Sequence, residues 1–185
     1  MKSMKSTTEV YSGNFLKNAA SKAKEFLKKG YKNVKRNSKK IFNQIKKEFM
    51  GYKSPDQFKP GAMIAMNYDA KFKDNTIWDK NPLILCLGWS RNPKFSKRNF
   101  YAINFHHLKV SERVSIASFF VELSKKRGGK ITYDDVKPFM NKFSNSPRPV
   151  LRQYIYKRVG GKVITMPSEQ FLVAAAIPSE VIVRG

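Results

Sequence analysis

The sequence predicts an α+β fold in which a small antiparallel sheet with several short helices follows a basic helical arm. Three observations carry this. Residues 1–53 read as Lys-rich amphipathic helices, β-type segments separated by Pro and Gly begin after Ser54, and helical spacing returns at Ser111.

The 185 residues suffice for one domain with a real core plus an appendage, and are too few for two ordinary domains. We therefore expect a basic amphipathic arm over residues 1–53 and one α+β domain over residues 54–185. Charge supports this division: the first 53 residues hold 15 of the 37 Lys/Arg but only 3 of the 13 Asp/Glu.

In the arm, Leu16, Ala19, Ala20, Ala23, Phe26 and Leu27 recur at three- and four-residue steps, which predicts a helix from about Asn14 to Lys29 stopped by Gly30. A second helix is expected from about Lys32 to Met50, with Val34, Ile41, Phe42, Ile45 and Phe49 on one side and Gly51 at its end. Neither has enough apolar surface to stand alone, so each must dock on the domain, a sister subunit or another surface.

Strands are predicted at Met63 to Tyr68, Pro82 to Trp89 and Phe100 to Leu108, as neighbours in one antiparallel sheet. Ser111 can cap a helix running to about Lys126, with Val114, Ala117, Phe120, Val121 and Leu123 inward and Gly128-Gly129 as its stop. Thr132 and Asp135 have capping-box spacing for a short helix to about Phe143. A third helix is expected from about Pro149 to Val159, closed by Gly160-Gly161, before final strands at Val163 to Met166 and Phe171 to Ile177.

The formal charge of +24 exceeds what solubility requires and repels itself unless a polyanion neutralises it. Basic helices interleaved with aromatics suit DNA or RNA, because Lys and Arg neutralise phosphates and release counterions while exposed rings stack on unpaired bases. The candidates are Lys35, Arg36, Lys39 and Lys40 in the arm, and Arg91, Lys94, Lys97, Arg98, Arg148, Arg152 and Arg158 in the domain. Phe95, between Lys94 and Lys97, is the ring best placed to touch a base. Most other Phe, including Phe100, Phe105, Phe120 and Phe171, read as core.

Other chemistries find less support. The single cysteine, Cys86, sits in the apolar run Leu83 to Leu87, excludes an intrachain disulfide and reads as a buried inert thiol in a reducing compartment. Lys2 and Lys5 are not followed by an apolar stretch, so no secretory leader is expected, and no segment approaches the ~20 apolar residues of a membrane span. A cationic arm could also lie on an anionic membrane, but the domain's own positive charge favours a partner that engages both parts. His106 and His107 are adjacent, and neighbours on a strand point to opposite faces, so they cannot share a metal. Asp69, Asp74 and Asp79 lie in one loop that could in principle gather Mg²⁺, but with no Glu-x-Lys or similar partner nearby, turn formation and Lys pairing explain them better. There is no nucleophile elbow or phosphate-cradling Gly-rich loop, and neither metal nor other cofactor is expected.

Gly61-Ala62-Met63, Tyr68-Asp69-Ala70-Lys71, Trp78-Asp79, Pro82-Leu83, Asn104-Phe105-His106-His107-Leu108 and Arg113, then Arg152-Gln153-Tyr154, Val163-Ile164 and Ala176-Ile177-Pro178, follow a recognisable pattern. From Pro60 onward the chain resembles a family of small proteins of T4-like tailed phages, which includes DNA end protectors and head-completion proteins. The resemblance excludes the arm. It implies a non-enzymatic, virion-associated DNA-binding protein, met in the host cytoplasm during assembly and docking on head or connector proteins or sister subunits. The strand pattern also looks like the partly open SH3-like barrel of the PemK/MazF toxin ribonucleases, a likeness of fold alone. Two alternatives remain: a nuclease using the Asp69/Asp74/Asp79 loop or His106, and a structural virion subunit whose positive surface meets acidic neighbours.

Overall fold

The structure is a computed structural model that describes residues 13–69, 80–95 and 98–184. Helices α1 (Gly13–Lys29) and α2 (Tyr31–Phe49) are followed by strands β1 (Met50–Tyr52), β2 (Met63–Tyr68), β3 (Leu83–Trp89) and β4 (Asn99–Asn104). Then come α3 (Val110–Lys126), α4 (Tyr133–Ser144), β5 (Leu151–Ile155), β6 (Val159–Met166), α5 (Phe171–Ala176) and α6 (Ser179–Arg184). The six strands form one antiparallel sheet in the order β1-β6-β2-β3-β4-β5.

The sheet curls on itself. Register shifts at Met66/Tyr68 in β2 and at Cys86/Gly88 in β3 mark bulges, which add local twist and bend a sheet toward closure. As a result β2 and β5, which are not neighbours in the sheet, meet across its concave side. The rings of Tyr68 and Tyr154 lie 5.0 Å apart, and the Tyr68 hydroxyl accepts a hydrogen bond from the Ile155 N–H at 3.1 Å. A short 3-10 turn, Tyr156–Arg158, carries the chain from β5 into β6. The result is a curled, partly open antiparallel barrel-like sheet with a 3-10 turn before its closing strand.

Two apolar layers result. On the concave side, Ile64, Met66, Ile84, Cys86, Phe100, Tyr154 and Val163 fill the barrel. On the convex side, Met63, Ala65, Leu83, Leu85, Leu87 and Ile103 pack under the helices. Burial on both faces explains why β3 reads as an unbroken apolar run instead of an alternating one. Cys86 is fully buried, and burial pushes its thiol up to about 12.

The arm helices share the convex core. Phe15, Ala19 and Ala23 of α1, and Val34, Phe42 and Ile45 of α2, are buried in it. The Ser118 hydroxyl of α3 donates to the Ala19 carbonyl at 2.8 Å, and Lys22 pairs with Glu122 at 2.6 Å. The inward stripe of α1 is rotated from the one expected, since Phe15 is buried and Leu16 is 44% exposed. The same docking explains why α3 is buried on more than one side. Phe119, outside the expected inward face, meets Phe15 edge-on at 5.1 Å.

The capping box of α4 forms as its spacing predicts, with the Thr132 N–H and hydroxyl donating to Asp135 at 2.9 and 2.8 Å. Gly128 and Gly129, at φ of 57° and 78°, end α3 in the left-handed conformation that the Gly pair anticipates.

Several expectations are corrected. Residues 149–159 form no helix: the segment is β5 plus the 3-10 turn, and Gly160-Gly161 lies inside β6. The spaced basic residues mimicked a helical face, while Val150, Tyr154, Ile155, Tyr156 and Val159 carried the β signal that prevailed. Phe171 to Ile177, read as a strand, is α5, because a short apolar run has no periodicity to separate the two states and its three alanines favour helix. Gly51 does not stop α2; it sits in β1 opposite Val163. The strand expected from Phe100 to Leu108 ends at Asn104, where the Asn104 side chain accepts from the His106 N–H at 2.9 Å and starts a 3-10 turn. His106 and His107 therefore do not alternate across a strand.

Candidate nucleic-acid interface

Three sets of basic residues are brought to the surface by different local causes. The first is on α2. Because Val34, Ser38, Phe42 and Ile45 face inward at near-helical steps, Lys35, Arg36, Lys39 and Lys40 are exposed. The helix kinks at Asn37, whose φ of −105° and ψ of 15° are non-helical. The Asn37 amide bonds back to the Asn33 side chain at 2.8 Å and to the Asn33 carbonyl at 3.3 Å, a side-chain competition that bends helices. The kink opens a shallow hollow edged by Arg36, Lys39, Lys40 and Asn43.

The second set is on the loop between β3 and β4. Asn92 organises it, its side chain accepting from the Lys94 N–H at 3.0 Å and its carbonyl from the Phe95 N–H at 2.9 Å. Arg91 stacks 3.6 Å from the centre of the Tyr133 ring, and Phe95 is 38% exposed with the Lys94 ammonium 5.8 Å from its ring centre. Lys97 lies outside the described residues, as do Asp74 and Asp79. The Arg98 carbonyl accepts from the Tyr156 N–H at 2.8 Å, which fastens this loop to the β5–β6 turn.

The third set borders that turn. Arg158 donates to the Asp69 carbonyl at 3.3 Å and approaches its carboxylate at 3.8 Å. Arg152 is half-buried on β5, opposite Ala102 of β4. Arg148 stands apart from both, held by two hydrogen bonds to the Glu112 carboxylate at 2.9 and 2.8 Å. The bonds from Arg148, with the Lys109 N–H assisting, hold the Glu112 carboxyl down at about 2. Arg148 is thus engaged in bracing the start of α3.

Sequence reasoning missed the aromatic mouth of the barrel. Phe58 and Phe100 are fully buried there, and Trp89 and Tyr156 are partly buried above them, their ring centres 5.4 Å apart. Lys53 binds the Tyr156 carbonyl at 3.2 Å and the Val159 carbonyl at 2.5 Å, with its ammonium 4.7 Å from the Tyr156 ring centre. Tyr156 was hidden inside the expected helix, whereas a strand reading of Val150 to Val159 would have placed it beside Trp89. Tyr52, 79% exposed on the edge strand β1, was missed for a similar reason, since residues 50–52 read as a helix end.

Among the described residues, no group of three or more His, Cys, Asp or Glu side chains is gathered as a metal site, and no helix is long and apolar enough to cross a membrane. What the described residues define is a strongly basic α+β protein in which a kinked helix and the loops at one end of a curled sheet carry Lys and Arg outward. The matching family model is described as Phage T4 terminal DNA protecting protein and covers residues 4–170 of the 185, so the chain belongs to that phage DNA-end-protecting family. The match takes in the basic arm, which the resemblance read from individual motifs excluded. No curated protein and no solved structure gave a match.

Proposed function

We propose that this chain protects DNA ends by binding them without catalysis, holding the phosphate backbone with its exposed Lys and Arg. In this reading it is a virion-associated protein that acts at head completion on the packaged genome, docked on head or connector proteins or on sister subunits. The carrying observation is α2, whose apolar side is used up by the core while Lys35, Arg36, Lys39 and Lys40 stand exposed together. Contacts to phosphate neutralise charge without reading sequence, so binding is weakly sequence-specific and steeply salt-dependent. In this reading Arg91, Lys94, Lys97, Arg98, Arg152 and Arg158 also meet phosphates, and Arg148 contributes only where phosphate competes with Glu112.

The test compares linear with closed-circular DNA of equal length across a salt series, with product length checked for cleavage in the presence and absence of Mg²⁺. Tighter binding to the linear form, uncut, is the expected result. Equal affinity for both forms removes the end-protection reading, and cleavage removes the non-catalytic one.

A further inference from the structure

Phosphate contacts explain affinity but not a preference for ends, because the backbone along the middle of a duplex presents the same charges as the backbone near its terminus. What differs at a terminus is the last base, which alone has one π-face free of stacking. A surface that recognises ends therefore needs something flat and aromatic beside its cations.

The barrel mouth has that construction. Phe58 and Phe100 form a floor, fully buried and 4.7 Å apart between ring centres. Trp89 packs on Phe100 at 5.7 Å and Tyr156 on Phe58 at 5.4 Å, so both upper rings are held by aromatic edges while remaining partly open to solvent. Trp89 and Tyr156 are partly buried, each an apolar ring with a polar atom at its rim. Their neighbours are cationic: Lys53 lies against Tyr156, and Lys157 and Arg158 share its turn. The Arg98 carbonyl fixes that turn to the loop bearing Phe95.

We propose that the Trp89 indole is a stacking platform for the terminal nucleobase of a DNA end, braced by Tyr156, whose ring meets it at 62°, with the surrounding Lys and Arg holding the last phosphates. This inference rests on the end-binding function proposed above and assigns the feature that tells an end from internal duplex. Stacking of one base on such a ring contributes a roughly tenfold gain in affinity.

Only Trp78 and Trp89 supply indole fluorescence, so the Trp78→Phe variant reports Trp89 alone. It is titrated with a short blunt duplex, the same duplex with a single-stranded overhang, and the same duplex closed at both ends by non-nucleotide linkers. Emission is expected to be quenched by the open duplexes and not by the closed one; stronger quenching by the overhang would identify an unpaired base as occupant, and equal quenching a terminal base pair. In parallel, Trp89→Leu and Tyr156→Leu are expected to bind open ends about tenfold more weakly with unchanged affinity for the closed duplex. Tyr156→Leu serves if Trp89→Leu fails to fold by circular dichroism. Equal quenching by open and closed duplexes, or binding to open ends without quenching, overturns the platform. If linear DNA is still preferred over circular in that case, the proposed function stands without it; if that preference is also absent, both fall.

Discussion

The ring of Phe15 meets the ring of Phe119 edge-on, with centres 5.1 Å apart and planes at 89°, and so joins the first helix of the basic arm to the central helix of the domain. Phe119 also touches Phe120 and Phe139, so removing Phe15 opens a gap beneath α1 into the main core. Phe15→Ala is expected to cost about 3 kcal/mol in urea unfolding. Deleting residues 1–53 outright would strip Ala19, Ala23, Val34, Phe42 and Ile45 from that core and yield protein without a cooperative transition.

The arm's contribution to binding is better tested by charge. Replacing Lys35, Arg36, Lys39 and Lys40 together by Ala touches only exposed side chains, and is expected to leave the urea midpoint nearly unchanged. If all four meet phosphates, the slope of log affinity against log salt falls in magnitude by about 3 to 4. An unchanged slope places the DNA elsewhere.

Glu112 ties its own stability contribution to pH. Its carboxyl is held at about 2 by the Arg148 bonds, below the ~4.3 of an unfolded Glu, so the pair stabilises the fold fully above that unfolded value. The contribution is lost as pH falls from about 4.3 through about 2. Arg148→Ala is therefore expected to lower the thermal midpoint at pH 7 and to converge on the wild type near pH 2. Parallel curves down to pH 2 would contradict the pairing.

Cys86 is fully buried and its thiol is pushed up to about 12. A thiol-specific chromogenic disulfide reagent at pH 8 should leave it unmodified in the folded protein and titrate one thiol per chain in denaturant.

Gly61 carries a close approach. Its φ is +81°, and a Cβ there would sit 2.5 Å from the Ile131 Cδ1. Gly61→Ala is expected to destabilise by about 2 kcal/mol in urea unfolding, through backbone strain and displacement of Ile131.

By itself the sequence determined whatever is written within one element or in total charge: the two arm helices, β2 and β3, the capping box of α4, the Gly128-Gly129 stop, the burial of Cys86, and the formal charge of +24. Short-range patterns suffice for these because their causes lie within a turn or a strand pair. Only the tertiary structure decided which way ambiguous runs folded, making Phe171 to Ala176 a helix and Leu151 to Ile155 a strand, since the first has no periodicity and the second sets a helical spacing of basic residues against β-type apolar ones. It also decided that Arg148 faces Glu112, 36 residues away, and that Trp89 and Tyr156 meet at one mouth. Those neighbours come from the curl of the sheet, produced by two bulges and a 3-10 turn acting together, and no local pattern in the chain encodes where a curled sheet brings its far edges into contact.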